Sequence, residues 1–213
     1  MRSSLLELLA PSVCPACDVS RRPGTARLCG RCRVQLAPLR ELRGVRTALA
    51  YDGTGARLVQ RFKFEGRRDA LGILIEPLVE RVRELHVDSI VPVPRHRQRV
   101  RELGADPVYE LARALARRVK LPLRQDVLLR TRPTRPQTGL PPRVRRTNIA
   151  GSFAARPGAL RGRRALLLDD VITTGATLSA AAAELRRSAG PRAVVPLALA
   201  GTPTLPSAGW PAL

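Results

Sequence analysis

The chain has 213 residues, 44% of them hydrophobic and only 3% aromatic, enough for one well-buried core and a small addition but not for two large domains. A core resting on Leu, Val, Ile and Ala suits a helix-covered sheet rather than a disulfide-stapled miniature, so an α/β class is expected. The formal net charge is +21, and all but two of the 38 basic residues, Lys63 and Lys120, are arginines. Guanidinium groups grip phosphate bidentately, so the excess points to phosphate-rich partners, nucleic acid among them; a general excess of solvated arginine would read the same in composition.

Met1 to Ala10 contains Leu5, Leu6, Leu8 and Leu9 but also Glu7, with no small-residue cleavage site before Cys14, and does not read as a signal peptide. No later segment reaches the roughly 20 uninterrupted apolar residues of a bilayer-spanning helix. A cytoplasmic protein without membrane insertion is expected.

All four cysteines fall in Cys14-Pro-Ala-Cys17 and Cys29-Gly-Arg-Cys32, two C-x-x-C pairs with eleven residues between them. A two-residue spacer lets both thiolates of a knuckle face one tetrahedral ion, and a second knuckle closes the shell, which means structural zinc rather than catalysis. Arg21, Arg22, Pro23, Gly24 and Arg27 make the intervening segment too polar to fold by burial, so metal binding would supply its folding energy. A redox or disulfide role is the alternative, but structural disulfides are rare in the cytosol and redox C-x-x-C motifs come singly. Residues 1–40 are therefore expected to form a zinc ribbon-like module and 41–213 the main domain.

From Gly44 onward short apolar runs alternate with amphipathic ones. Val45–Tyr51 reads as a strand and Gly53–Phe62 as a helix, followed by a helix over about Arg68–Leu85 with apolar residues at helical spacing. Val87–Val91 is a strand stopped by Pro92-Val93-Pro94. A helix over about Pro107–Val119, a buried strand at Ala165–Leu168, a helix through Arg187 and a last strand at Ala193–Ala200 complete the pattern, which implies right-handed crossovers and a parallel sheet. Arg130 to Ser152 has neither periodicity; 131–152 is expected to be a flexible lid and 201–213, with Trp210, a loose tail.

The stretch Leu166-Leu167-Leu168-Asp169-Asp170-Val171-Ile172-Thr173-Thr174-Gly175-Ala176-Thr177 joins an apolar strand, two acids, a hydroxyl-rich loop and a helix start. Open α/β folds hold ligands at the carboxyl edge of the sheet. Loop amides, threonine hydroxyls and a helix N-terminus suit an anion there, and the acids suit sugar hydroxyls. A sugar phosphate satisfies both halves.

Two acids followed by Thr-Thr-Gly-x-Thr resemble the phosphoribosyl pyrophosphate signature of type I phosphoribosyltransferases. Along most of its length the chain is similar to the ComF family: the cysteine knuckles, Lys63-Phe64-Glu65-Gly66 for the family's Lys-Phe-x-Gly, Asp88 to Pro94 for the strand carrying the pyrophosphate loop, and Gln137 through Asn148 with Phe153 for its lid. One block departs. Leu103-Gly104-Ala105-Asp106-Pro107 stands where the family has Arg-Gly-Phe-Asn-Gln, so the acceptor or partner contact of that block is not carried over.

The resemblance implies a type I phosphoribosyltransferase fold with a mainly parallel sheet. It implies phosphoribosyl pyrophosphate bound with magnesium by Asp169, Asp170, Val171, Thr173, Thr174, Gly175, Ala176 and Thr177, with Asp169 and Asp170 catalytic. It further implies a role in natural competence and in handling incoming single-stranded DNA with other competence proteins. Lys63 and Arg95 are candidates for the pyrophosphate. Arg97, Arg99 and Arg101 continue a basic run that fits either the same cleft or a nucleic-acid backbone, and His86 and His96 read as structural. No acceptor can be read. Two classes stay open: a transferase with an unknown acceptor, and a factor that binds ligand or nucleic acid without turnover. The scarcity of aromatics argues against a stacking platform for single strands.

Overall fold

The computed structural model of the chain describes residues 12–21, 27–131 and 151–203. In chain order the elements are β1 (Ser12–Val13), β2 (Ser20–Arg21), α1 (Gly30–Gln35), β3 (Glu41–Leu42), β4 (Val45–Ala50), α2 (Gly53–Phe64), α3 (Arg68–Arg83) and β5 (Ser89–Pro92). There follow α4 (Arg97–Leu103), α5 (Pro107–Val119), β6 (Leu128–Arg130), β7 (Phe153–Ala155), β8 (Arg164–Ile172), α6 (Ala176–Glu184), a π-helical turn (Leu185–Ala189) and β9 (Ala193–Gly201).

A five-stranded sheet in the order β3-β4-β9-β8-β5 forms the centre. β4, β9, β8 and β5 pair in parallel, and only β3 runs antiparallel. Side chains alternate across β8: Leu166 and Leu168 enter a core shared with α2, α3 and α5, while Ala165 and Leu167 enter one shared with α6 and Phe153. This period-2 alternation is how a strand buried on both faces reads as an unbroken apolar run. The α/β class with a mainly parallel sheet and flanking helices is thus observed.

Three local results differ from the expectations. β5 extends through Pro92 because it lies at the sheet's edge, where a missing donor is tolerated. The run after His96 is a helix, α4; His96 Nδ1 accepts from the Gln98 N–H at 3.3 Å and Gly104, at φ 69°, ends it in the left-handed region. Gly201, assigned to the tail, is the buried last residue of β9 and pairs with Ala50 and Ile172.

β6 and β7 form a small antiparallel ladder, extended by the Thr131 N–H donating to Ser152 O at 2.9 Å. This closes the base of the expected lid; Gln137 to Asn148 and Trp210 lie outside the described residues. None of the described helices is long and apolar enough to cross a membrane.

Candidate functional site

β8 carries Asp169 and Asp170 past the end of its neighbour. β5 pairs with it only as far as Leu168, whereas β9 continues to Ile172. The two acids therefore do not end the strand, as the sequence suggests, but lie inside it where one side has lost its partner. The gap is at the carboxyl edge of the parallel strands, the place where open α/β sheets bind ligands.

Asp170, 5% exposed, is held by two cations. Lys63 Nζ, from the last turn of α2, is 2.8 Å from Oδ2, and Arg95 Nη2, just beyond β5, is 2.5 Å from the same oxygen. The Val171 N–H donates to Oδ1 at 2.7 Å. Burial works against the Asp170 charge, but the Lys63 and Arg95 charges outweigh it and lower its pKa. Asp169 differs although it is adjacent. Burial and the Asp170 charge push it up to about 7, against the Asp170 N–H that donates to its Oδ1 at 2.8 Å. The two adjacent acids are thus shifted in opposite directions.

The Thr173–Thr177 loop turns into α6 through Gly175, at φ 76°. A side chain there would meet the steric penalty of the left-handed region. Thr174 Oγ1 accepts from the Ala176 N–H at 3.4 Å, and the nine-residue α6 presents its N-terminus to the same space.

Sequence reasoning did not single out two neighbours. Asp106, inside the block that departs from the family pattern, caps α5 by accepting from the Val108 and Tyr109 N–H groups at 3.0 and 3.2 Å, and it also accepts a backbone hydrogen bond from Arg95. The N-cap signal Asp-Pro before an apolar run was visible; its hold on Arg95 was not. Arg130 lies over the Phe153 ring at 5.4 Å, within electrostatic reach of Asp169 and Arg95. Nothing in the local pattern marks it. Arg97 and Arg101 are exposed on α4.

The cysteines form a second centre. All four sulfurs lie within 4.8 Å of one another, with Cys17 Sγ and Cys29 Sγ 3.7 Å apart. A tetrahedral ion with metal–sulfur bonds of about 2.3 Å separates its sulfurs by about 3.8 Å, so the geometry fits. Burial opposes ionisation of Cys14, yet the Cys29 and Ala16 N–H groups bring it down to about 7. Cys17 is pushed up to about 12: the Val19 N–H favours its thiolate, but burial and the three other sulfurs prevail. Four sulfurs this close together could hold a metal ion, which would favour their thiolate forms. Cys14, Ala16, Leu28 and Cys32 pack into the same core as Leu58, Val59 and Phe62 of α2.

No family model matches the chain. Competence protein F of Haemophilus influenzae is 32% identical over 139 residues, 61% of each chain. DNA utilization protein YhgH of Escherichia coli is 30% identical over 188 residues, covering 83% of this chain and 79% of that one. The chain belongs to the ComF family. Competence protein ComFC of Bacillus subtilis, another member by name, is 25% identical over 84% of this chain and 73% of its own. The match thus spans less than two thirds of the Haemophilus protein and about three quarters of the other two.

Among solved structures, an adenine phosphoribosyl transferase from Trypanosoma brucei in complex with AMP, pyrophosphate and ribose-5-phosphate aligns with a TM-score of 0.48 at 13% identity, over 78% of this chain and 86% of that one. The UMP synthase of Leishmania donovani aligns at 0.41 and 17% identity, over 67% and 29%. This ComF chain has a mainly parallel five-stranded sheet with flanking helices and a four-cysteine cluster near its start.

Proposed function

We propose that the chain binds phosphoribosyl pyrophosphate as its magnesium complex at the β8–α6 loop and acts in natural competence, in the handling of incoming single-stranded DNA. One observation carries this reading: Asp170 is clasped between Lys63 and Arg95 directly before a threonine loop and a helix N-terminus. The cluster pairs an acceptor for ribose hydroxyls with cations for a pyrophosphate, and the loop offers amides and hydroxyls for a 5'-phosphate.

In the free protein Lys63 and Arg95 neutralise Asp170. When the ligand enters, its ribose hydroxyls donate to Asp169 and Asp170, and both cations turn to the pyrophosphate oxygens. Val171, Thr173, Thr174, Gly175, Ala176 and Thr177 surround the 5'-phosphate. Magnesium, carried in with the ligand, supplies charge neutralisation on the phosphate oxygens. If turnover follows, a nucleophilic atom of the acceptor bonds to the anomeric carbon as its bond to pyrophosphate breaks, and Lys63 and Arg95 stabilise the charge developing on the departing pyrophosphate. Cys14, Cys17, Cys29 and Cys32 hold structural zinc.

A second reading has its own support, since the curated relatives are named for competence and DNA utilization rather than for a transfer reaction. In it the same pocket binds ligand without turnover and the basic surface meets DNA. Calorimetry with phosphoribosyl pyrophosphate and magnesium tests the shared premise: no measurable binding overturns both readings. A pyrophosphate-release screen across nucleobases and amines separates them.

A further inference from the structure

The last turn of α2 faces two centres at once. Lys63 reaches Asp170, while Arg61, two residues earlier, turns to the cysteine knuckle: its Nη2 is 2.5 Å from Asp18 Oδ2, and its Nη1 donates to Pro15 O at 3.5 Å. Beyond the helix, Arg67 Nη1 closes on the other Asp18 oxygen at 3.1 Å and its remaining donors hold Asp69 at 3.0 and 2.7 Å. One carboxylate thus pins both ends of Arg61-Phe62-Lys63-Phe64-Glu65-Gly66-Arg67, with Lys63 between them.

Packing contributes little to holding the outer part of this segment. Phe62 is in the core, but Phe64 is 60% exposed, Glu65 and Gly66 are exposed, and Gly66 at φ 64° reverses the chain. Asp18 is itself placed by the knuckle: it follows Cys17, and its N–H donates to Cys14 O at 2.9 Å. Whatever fixes the Cys14–Cys17 turn therefore fixes the carboxylate that anchors the lysine segment. Arg27 Nη1 ties the second knuckle to the main domain by donating to Gly72 O at 2.9 Å, and a Cβ at Gly72 would come within 2.7 Å of it.

We propose that Asp18 is a positioning residue for Lys63, so that metal loading at the four cysteines is transmitted through Arg61 and Arg67 to the cation facing Asp170. The inference stands whether or not phosphoribosyl pyrophosphate is the ligand, because it concerns the placement of Lys63 in the free protein. Arg61 and Arg67 are the two lines of transmission, and coupling through them is reciprocal: displacing Lys63 alters how tightly the knuckle keeps its metal.

The chain has only two lysines, Lys63 and Lys120, so selective lysine labelling yields two side-chain NMR signals, one reporting the site and one an internal control. In full-length, metal-loaded protein, Asp18→Asn is expected to shift the Lys63 Cε and Nζ resonances and speed exchange of its ammonium protons, with the Lys120 signal and metal content unchanged. Asp18→Glu should restore most of the wild-type Lys63 signal, which a general loosening would not. If Asp18→Asn loses metal or fails to fold, Arg67→Gln leaves the knuckle's own residues intact and should displace the Lys63 signal in the same direction. An unchanged Lys63 signal in a folded, metal-loaded Asp18→Asn or Arg67→Gln protein overturns the proposal. Binding of magnesium phosphoribosyl pyrophosphate, measured separately on wild type, decides the pocket reading on its own.

Discussion

Lys63 Nζ and Asp170 Oδ2, 107 residues apart in sequence, stand 2.8 Å from each other where the end of α2 meets β8 beyond the reach of β5. Asp170→Asn should weaken binding of phosphoribosyl pyrophosphate by about 1.5–3 kcal/mol, the worth of a charge-assisted hydrogen bond. It should also lower the melting temperature of the free protein, because Lys63 and Arg95 are left facing each other without their acid. Calorimetry of binding and of unfolding reads the two effects; unchanged affinity would remove Asp170 from the site.

Thr174→Val deletes the hydroxyl that accepts from the Ala176 N–H, and with it a donor for the anion. Affinity for the same ligand should fall while the melting temperature changes little, since the 3.4 Å bond is long and the site only half-buried. Equal affinity in wild type and variant would place the 5'-phosphate elsewhere.

Asp169 gives the fold a pH dependence of definite sign. Its folded-state pKa of about 7 lies above the ordinary aspartate value of 3.8. A carboxyl raised on folding favours the folded state fully below its unfolded pKa and loses that contribution as pH rises through the folded one. Between about pH 4 and 7 the melting temperature of wild type should therefore fall relative to that of Asp169→Asn, whose amide cannot ionise. A difference that stays flat across this window would show that Asp169 is ordinary.

Metal analysis should find about one zinc per chain, as a closed four-thiolate site requires, and Cys29→Ser should lose it. Because Cys14 and Cys32 share a core with Leu58 and Phe62, hydrogen exchange in α2 should quicken together with that of the cysteine segment. If α2 keeps its wild-type protection, residues 1–40 act as a separable module.

At +21 the chain should bind single-stranded DNA. If only the general field acts, affinity should fall steeply with salt and ignore phosphoribosyl pyrophosphate. If DNA handling is built onto the site, the two ligands should couple, and Arg97→Ala with Arg101→Ala, both exposed on α4 beside the Arg95 turn, should weaken binding. We expect coupling. Fluorescence anisotropy over a salt series, with and without the ligand at matched ionic strength, checks it; identical curves would reduce the charge to nonspecific attraction.

Much of this molecule was legible in the linear chain, because the information is local. The apolar run before Asp169, the helical spacing from Arg68, the Asp106-Pro107 start of α5 and the paired cysteine knuckles each depend on residues a few positions apart, and period and ligand spacing express them directly. Lys63 and Arg95 read as candidates for the pyrophosphate from sequence, but only the fold shows them meeting on one oxygen of Asp170. The short ends of β6 and β7, the seat of Arg130 over Phe153, and the double grip of Asp18 on Arg61 and Arg67 leave no periodic trace, since each partner is chosen by how separate segments pack. The same is true of charge. Asp169 and Asp170 are identical neighbours in sequence, and tertiary structure alone divides them, bringing two cations to one carboxylate and leaving the other to burial and its neighbour's charge.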